Sequence, residues 1–146
     1  MKQILVPTDF SECADQAAIL ARYLARESGA EICYLHAMTM PTNWGNLPEG
    51  WENDYPGVKD RIHEARTALE ERVSTTKEAG IGARPELVYL EGNEWLTNAL
   101  EEKEFDLIVM GSQGRSGLLR LMVGSNAERI MRTAGIPVLV VREAPE

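Results

Sequence analysis

Short, uninterrupted apolar runs alternate with stretches of helical spacing along this chain. The first run, Ile4 to Val6, ends at a polar break that begins with Pro7. Apolar runs of this length are typical of parallel strands that are covered on both faces of a sheet. The pattern predicts strands at residues 4–6, 32–38, 87–90, 105–110 and 138–141.

Amphipathic helices are predicted in the intervals. Small and apolar residues recur at helical spacing from Ala14 to Ala25, with Ser11 as the expected N-cap and Gly29 as the C-terminal stop. The alanines on this face predict close packing against a sheet. A second amphipathic helix is predicted over residues 58–73, ending before Gly80.

Two further helices complete the predicted order. Asn93 can cap a short one, and a capping box from Ser125 to Glu128 opens another that Gly135 closes. The resulting order, βαβαβαβαβ, predicts a single α/β domain over residues 1–146, with a parallel sheet covered by helices on both faces. Ligands of such sheets bind at the carboxyl ends of the strands, near the point where the strand order reverses.

The segment from Thr39 to Gly57 is too long for an ordinary connection in this architecture. It contains Trp44, Trp51 and Tyr55. Loops of this length are often lids or partner-binding segments. The alternative is a partly ordered loop whose rings pack against the body of the protein, and this alternative is slightly favoured.

The charge of the chain argues against a nucleic-acid partner. There are 15 Lys and Arg against 23 Asp and Glu, a net charge of -8, which opposes binding of a polyanion over a broad surface. Residues 111–132 are an exception, since this segment contains four arginines and one acidic residue and has a local charge of +3. A small anionic ligand would be drawn to it, although Arg129 and Arg132 are expected on a solvated helix face.

Several other classes of site are excluded by composition. Cys13 and Cys33 are too few for a disulfide framework and are expected to be reduced and partly buried. The two histidines, His36 and His63, suggest neither a zinc site nor a Cys–His pair, and His36 is expected to be a packed or capping residue. No apolar run approaches a membrane span, so a cytoplasmic location without membrane insertion is expected.

Three glycines after the fourth predicted strand have the spacing of a phosphate-binding segment. Gly111 is followed after two residues by Gly114, and after nine more by Gly124 and Ser125. Glycine lets the backbone approach a ligand closely, and a helix N-terminus offers unpaired N–H groups to an anion. The segment therefore predicts a phosphate cradle.

The start of the last helix has two compatible interpretations. Ser125 suits a plain N-cap, with Glu128 as its capping-box partner. A phosphate could also be bound by the backbone N–H groups of Ser125, Asn126 and Ala127. Gly124 would then be required because a Cβ would intrude on the phosphate.

Polar residues after the first strand point to the same end of the sheet. Asp9 can accept hydrogen bonds from ribose hydroxyls or hold a divalent cation, or it can be a turn residue that bonds its own backbone. Arg115 and Ser116, between the glycines, either add charge and a donor near the outer phosphates or lie in solvent. A Walker-type Gly-Lys-Ser/Thr sequence and a Gly-x-Gly-x-x-Gly turn are both absent from the sequence.

With these motifs the chain resembles the universal stress protein family, specifically the branch that binds ATP. The resemblance covers essentially the whole chain and rests on the opening Ile4 to Ser11, the strand end Leu35-His36-Ala37, the strand Asp106 to Gly111, the Gly-x2-Gly-x9-Gly-Ser signature and the closing Pro137 to Val141. In this family the glycine signature separates members that bind ATP from a branch that lacks it.

The resemblance implies a five-stranded sheet of order 3-2-1-4-5, with the nucleotide between the ends of the first and fourth strands. It implies these roles: Pro7, Thr8 and Asp9 line the adenosine site, Ala37 contacts adenine through its backbone, Met110 and Gly111 flank the ribose, and Gly114, Gly124, Ser125, Asn126 and Ala127 receive the phosphates. Two positions depart from the commonest pattern. Gln113 stands where many members have histidine and Ala127 where some have a hydroxyl residue, which implies a weaker hold on the triphosphate or a different metal dependence.

The resemblance also implies a homodimer in which the last strands, residues 137–142, pair. The sequence supports this independently, since Val138 to Val141 would form an apolar edge that soluble proteins normally cover. The favoured function is an ATP-binding regulator of the stress response, with or without Mg²⁺, which acts through its dimer and an unknown protein partner. The alternatives are a slow ATPase or autokinase, and a structural dimer with a vestigial nucleotide site.

Overall fold

The computed structural model of the protein describes residues 1–40, 48–50, 55–91, 104–113 and 125–142. The elements it contains are β1 (Gln3–Pro7), α1 (Glu12–Ser28), β2 (Glu31–Met40), α2 (Pro56–Glu78), β3 (Ala83–Glu91), β4 (Leu107–Gly111), α3 (Ser125–Thr133) and β5 (Val138–Val141). The predicted helix at Asn93 and the glycine segment from Gly114 to Gly124 lie outside the described residues.

The five strands form one parallel sheet in the order β3-β2-β1-β4-β5, which confirms the predicted topology. The chain moves outward from β1 to β2 and β3, and then returns to the other side of β1 with β4. The strand order therefore reverses between β1 and β4, which makes this pair the topological switch point of the fold.

Helix α1 begins and ends where its sequence predicts. The Ser11 side chain accepts a hydrogen bond from the Ala14 N–H, and Gly29 adopts a left-handed conformation with φ of 77°. Its small residues face the sheet, where Ala17 and Ala21 are fully buried. Alanine at these positions lets the helix backbone lie close to β1 and β4.

Two apolar layers cover the sheet, one on each face. The layer beneath α1 and α2 includes Ile4, Val6, Tyr34 and Val109, while the layer on the other face includes Leu5 and other alternate strand residues. Ala127 and Ile130 of α3 belong to the second layer. Helices therefore lie on both faces, as predicted for a parallel sheet.

Strands β2 and β3 are longer than their apolar runs suggest. Their ladder runs from Ile32 and Ala83 to Met40 and Glu91. Because β3 lies at an edge of the sheet, charged residues such as Arg84 and a residue without an N–H, Pro85, fit into its first half. Exposed and half-buried polar residues in this first half hide such a strand from a search for apolar runs.

Candidate functional site

The carboxyl ends of β1 and β4 separate from one another at the switch point. Both strands lie wholly within the described residues, and their ladder joins two residue pairs, ending at Leu5 and Ile108. Beyond it, the Thr8 N–H bonds to Leu35 O on the β2 side at 2.8 Å, and the Ser112 N–H bonds to Val141 O on the β5 side at 2.8 Å. Each strand therefore stays paired with its outer neighbour and the two strand ends are not joined by a ladder; the space between these two ends is called the crevice below.

The turn after β1 is closed by its own side chains. Thr8 Oγ1 accepts a hydrogen bond from the Phe10 N–H at 3.0 Å, and Asp9 Oδ1 accepts one from the Ser11 N–H at 3.0 Å. Thr8 is buried, whereas Asp9 is half-buried. The turn role considered for Asp9 is therefore present, with one carboxylate oxygen bonded to the backbone of the turn that follows β1.

Ala37 lies on β2 close to the same turn. Pro7 pairs with Leu35, so the chain of β2 reaches Ala37 two residues beyond the end of β1. The side chain of Ala37 is half-buried against the core layer beneath α3. Its backbone is thus at the level of the Thr8–Asp9 turn.

Gly111 lies at a close approach between β4 and the first turn of α1. A Cβ at this position would lie 2.9 Å from Cys13 Sγ and 3.0 Å from the Cys13 backbone carbonyl carbon and oxygen. Backbone atoms cannot move away as a flexible side chain can, so the packing of α1 requires glycine here. This requirement is independent of any ligand and adds a structural reason to the one inferred from the signature.

Cys13 of α1 contacts β5 and the residue that follows Gly111. The Cys13 thiol donates to Val141 O at 3.4 Å and lies 3.8 Å from Ser112 Oγ. Met110 is buried in the core layer beneath α3, and Gln113 is half-buried just after the strand. Both cysteines are free and buried, as expected from the sequence.

At the start of α3, the described side chains of Asn126 and Ala127 differ in exposure. The helix begins at Ser125, as predicted. Asn126 is exposed, while the Ala127 side chain is 2% exposed and packs in the core. An N–H group at Ala127 is thus the part of this residue that a ligand at the helix N-terminus could contact. Gly114, Arg115 and Gly124 lie outside the described residues.

The arginines of α3, Arg129 and Arg132, are exposed on the helix surface, as expected from the sequence. Arg132 Nη2 lies 2.7 Å from Glu128 Oε1, and the Arg132 side chain is 75% exposed. An ion pair of this kind one helical turn apart stabilises the helix itself. Arg132 is accordingly a helix-surface residue.

Three residues around the turn after β1, Phe10, His36 and Arg72, received no ligand-binding role from the sequence. Phe10 has a left-handed backbone, with φ of 65°, which is uncommon for a residue other than glycine. Its ring stacks on the His36 ring, with centroids 4.4 Å apart. The Arg72 guanidinium carbon lies 4.8 Å from the centroid of the Phe10 ring. The packing role expected for His36 is confirmed, but no local signal in the sequence connects Arg72 to this turn.

The described residues contain neither a candidate metal cluster nor a membrane-spanning helix. Within them, no group of three or more His, Cys, Asp or Glu side chains could hold a metal ion. Of the helices that the structure describes, none combines the length and the apolar character needed to cross a bilayer.

A doubly wound α/β protein with a crevice at its switch point is thus defined by the fold and the site. The model of the universal stress protein family matches residues 1–142. The chain belongs to this family.

Relatives and solved structures agree with this assignment. Universal stress protein MJ0531 of Methanocaldococcus jannaschii is 36% identical over 146 residues, covering 97% of this chain and 82% of the relative. The structure of universal stress protein UspA from Lactobacillus plantarum is similar with a TM-score of 0.77 at 24% identity, over 97% of each chain. A universal stress protein from Archaeoglobus fulgidus, solved in complex with dAMP, is similar with a TM-score of 0.67 at 22% identity, over 97% of this chain and 98% of that one. The last two likenesses show the shared fold.

Proposed function

We propose that this protein binds an adenine nucleotide, with ATP as the expected ligand, in the crevice between β1 and β4. Nucleotide occupancy would regulate a protein partner in the stress response, through the shape or stability of a homodimer. The cytoplasmic location expected from the sequence belongs to the same proposal and stays a prediction.

The separation of β1 and β4 is the observation that carries this proposal. Thr8 and Ser112 continue the hydrogen bonding of their strands toward opposite neighbours, so the space between them is not closed by a ladder. Ligands of open α/β sheets bind at such a point. The dAMP complex of the Archaeoglobus fulgidus protein, which shares the fold, supports an adenine nucleotide as the ligand class.

The two sides of the crevice suit the two ends of a nucleotide. Pro7, Thr8, Asp9 and Ala37 would receive the nucleoside, with the Asp9 carboxylate as an acceptor for ribose hydroxyls. Met110, Gly111 and Gln113 would lie along the opposite side. The phosphates would be bound by Gly114, Arg115 and Gly124 together with the N–H groups of Ser125, Asn126 and Ala127 at the start of α3. Mg²⁺, when present, would be held mainly by the phosphates, with the Asp9 carboxylate as a further oxygen ligand.

A homodimer would form through β5, which is an edge strand of the described sheet. Leu139 on this strand is 37% exposed. Apolar residues on an open strand edge favour pairing with another strand, and a second copy of the chain supplies an identical one. Leu139→Lys should therefore convert a dimer to a monomer, as measured by light scattering after size-exclusion chromatography. A wild-type protein that is monomeric at micromolar concentration would contradict this part of the proposal.

Calorimetric titration tests the nucleotide site. The wild-type protein should bind ATP, and Gly114→Val should weaken that binding because the added side chain would occupy space needed by the phosphates. Gly57→Val is the matched control, since a Cβ at Gly57 has no atom within 4 Å. Both titrations are repeated with AMP and with Mg²⁺.

The outcomes separate the candidate functions. Absence of binding by the wild-type protein for every adenine nucleotide would refute the proposal and favour a structural module. Phosphate release above background that disappears in Gly114→Val would instead favour a slow ATPase.

A further inference from the structure

The ring of Phe10, the residue that follows Asp9, contacts both His36 and Arg72, and these three side chains are called the stack below. The Phe10 ring lies on the His36 ring, with an interplanar angle of 30° and centroids 4.4 Å apart. The Arg72 guanidinium of α2 is 4.8 Å from the centroid of the same ring. Arginine over an aromatic face is attracted by the quadrupole of the ring, and more strongly where water is excluded. The Arg72 side chain is 19% exposed, so this contact is largely shielded.

Arg72 is itself held in place by α1 and α2. Its Nε and Nη2 groups donate to Asp15 Oδ1 at 3.1 Å and Asp15 Oδ2 at 3.3 Å, and Nη1 donates to Ala68 O at 3.1 Å. Paired donation to a carboxylate fixes the plane of a guanidinium as well as its position. Arg72 therefore joins the stack to both helices on this face, to α1 through Asp15 and to α2 through Ala68.

His36 links the same stack to the residue before Asp9. Its Nδ1–H group donates to the Thr8 carbonyl oxygen at 2.7 Å, while its ring supports Phe10. Asp9 is thus bracketed, because the residue on each side of it is held by the same imidazole. The left-handed backbone of Phe10, with φ of 65°, is a conformation that persists only where surrounding contacts enforce it.

We propose that Phe10 and Arg72 are positioning residues for Asp9. The stack holds the Thr8–Asp9 turn in the conformation that receives the nucleoside, and it does so from α2, outside the crevice. This inference rests on the proposed function and adds two residues to that site. Because coupling is reciprocal, a bound nucleoside also stabilises the stack.

Substitutions that remove one side chain of the stack test this role. Phe10→Gly removes the ring but retains a residue that accepts positive φ, so the backbone is freed and not blocked. Arg72→Gln removes the cation. Each variant should weaken the binding of AMP and of ATP by the same factor, on the order of tenfold, which is within the usual range for coupled sites. When both ligands are titrated without Mg²⁺, the ratio of the two affinities should stay unchanged, because the turn then contacts only the nucleoside that AMP and ATP share.

Two control variants separate positioning from stability. Phe10→Tyr keeps an aromatic ring and should retain wild-type affinity. Ile81→Ala removes a core side chain in the turn before β3, at the opposite end of the sheet, and should lower the melting temperature without changing either affinity. Wild-type affinity in Phe10→Gly and Arg72→Gln, with only the melting temperature lowered, would overturn the inference.

Amide hydrogen exchange gives a second readout that needs no ligand. The Phe10 and Ser11 N–H groups donate to Thr8 Oγ1 and Asp9 Oδ1. These two amides should exchange faster in Arg72→Gln but keep wild-type protection in Ile81→Ala. Unchanged exchange in Arg72→Gln would overturn the inference even where affinity falls. A wild-type protein that binds no adenine nucleotide would instead refute the proposed function.

Discussion

The hydroxyl groups of Tyr34 on β2 and Thr76 on α2 lie 2.6 Å apart, and both side chains are fully buried. Thr76 Oγ1 also donates to the Arg72 carbonyl oxygen at 2.8 Å. Since a hydroxyl has one hydrogen to donate, Tyr34 must be the donor to Thr76. This chain of hydrogen bonds connects the sheet to the turn of α2 that carries Arg72.

Thr76→Val should destabilise the protein because it leaves the buried Tyr34 hydroxyl without an acceptor. A buried polar group that loses its partner costs about 1–3 kcal/mol. Urea denaturation of the variant measures the loss. Adding Tyr34→Phe to Thr76→Val should recover part of it, since the orphaned group is removed. A double variant less stable than Thr76→Val alone would contradict the claim that the orphaned Tyr34 hydroxyl causes the loss.

Gly111→Ala should destabilise the fold without reference to any ligand. The new Cβ would meet the Cys13 backbone at 3.0 Å, so α1 must shift away from β4. Overpacking of this kind typically costs about 1–3 kcal/mol. Gly57→Ala is the control, because its Cβ meets no atom within 4 Å. Equal melting temperatures for Gly111→Ala and the wild type would show that the helix moves without cost.

Asp106 should make stability depend on pH in the acid range. Its Oδ2 accepts the N–H groups of Lys2 at 2.7 Å and Gln3 at 2.9 Å, and these bonds hold the pKa of the carboxyl below its ordinary value of 3.8. A lowered pKa in the folded state means that the stabilisation is complete above pH 3.8 and is lost as the pH falls through the folded value. Asp106→Ala should therefore be less stable than the wild type at neutral pH, and the difference should shrink on acidification. A difference that is constant from pH 7 to below 3.8 would contradict this account.

Cys33 should be inert toward thiol reagents in the folded protein. Burial raises the pKa of its thiol to about 12, against an opposing effect of Arg84, and Glu86 Oε2 accepts its hydrogen at 3.5 Å. The thiolate is the reactive form, and it is scarce at pH 8. Brief alkylation at pH 8 followed by peptide mass mapping should leave Cys33 unmodified, whereas the same treatment in guanidinium should label it. Rapid native labelling would show that this face of the sheet opens readily.

Much of the fold could be predicted from local patterns. The caps of α1 at Ser11 and Gly29 were predicted correctly because a side-chain acceptor and a left-handed glycine act on their immediate neighbours. The bounds of β3 were predicted less well, since its first half lies at a sheet edge and contains Arg84, Pro85 and Glu86 in place of an apolar run. The strand order 3-2-1-4-5 came from family resemblance, since the sequence pattern alone indicates only a parallel sheet.

Part of the candidate site could be predicted from the sequence, and part could not. Asp9 and the glycine spacing were visible in the sequence because they follow predicted strands. The stack was not visible, because Arg72 reaches it from α2 and binds Asp15 from 57 positions away. No periodicity brings these residues together, and only the packing of α1 and α2 over the sheet does so.

By itself, the sequence determined that this protein is a parallel α/β domain, and its glycine spacing after the fourth strand predicted a phosphate cradle, because periodicity, capping and glycine content act over a few residues. Tertiary structure decided where β1 and β4 separate, why Gly111 must be glycine and how Phe10 is held in a left-handed conformation. These features depend on contacts between residues far apart in the chain, and their geometry follows from how helices and strands pack.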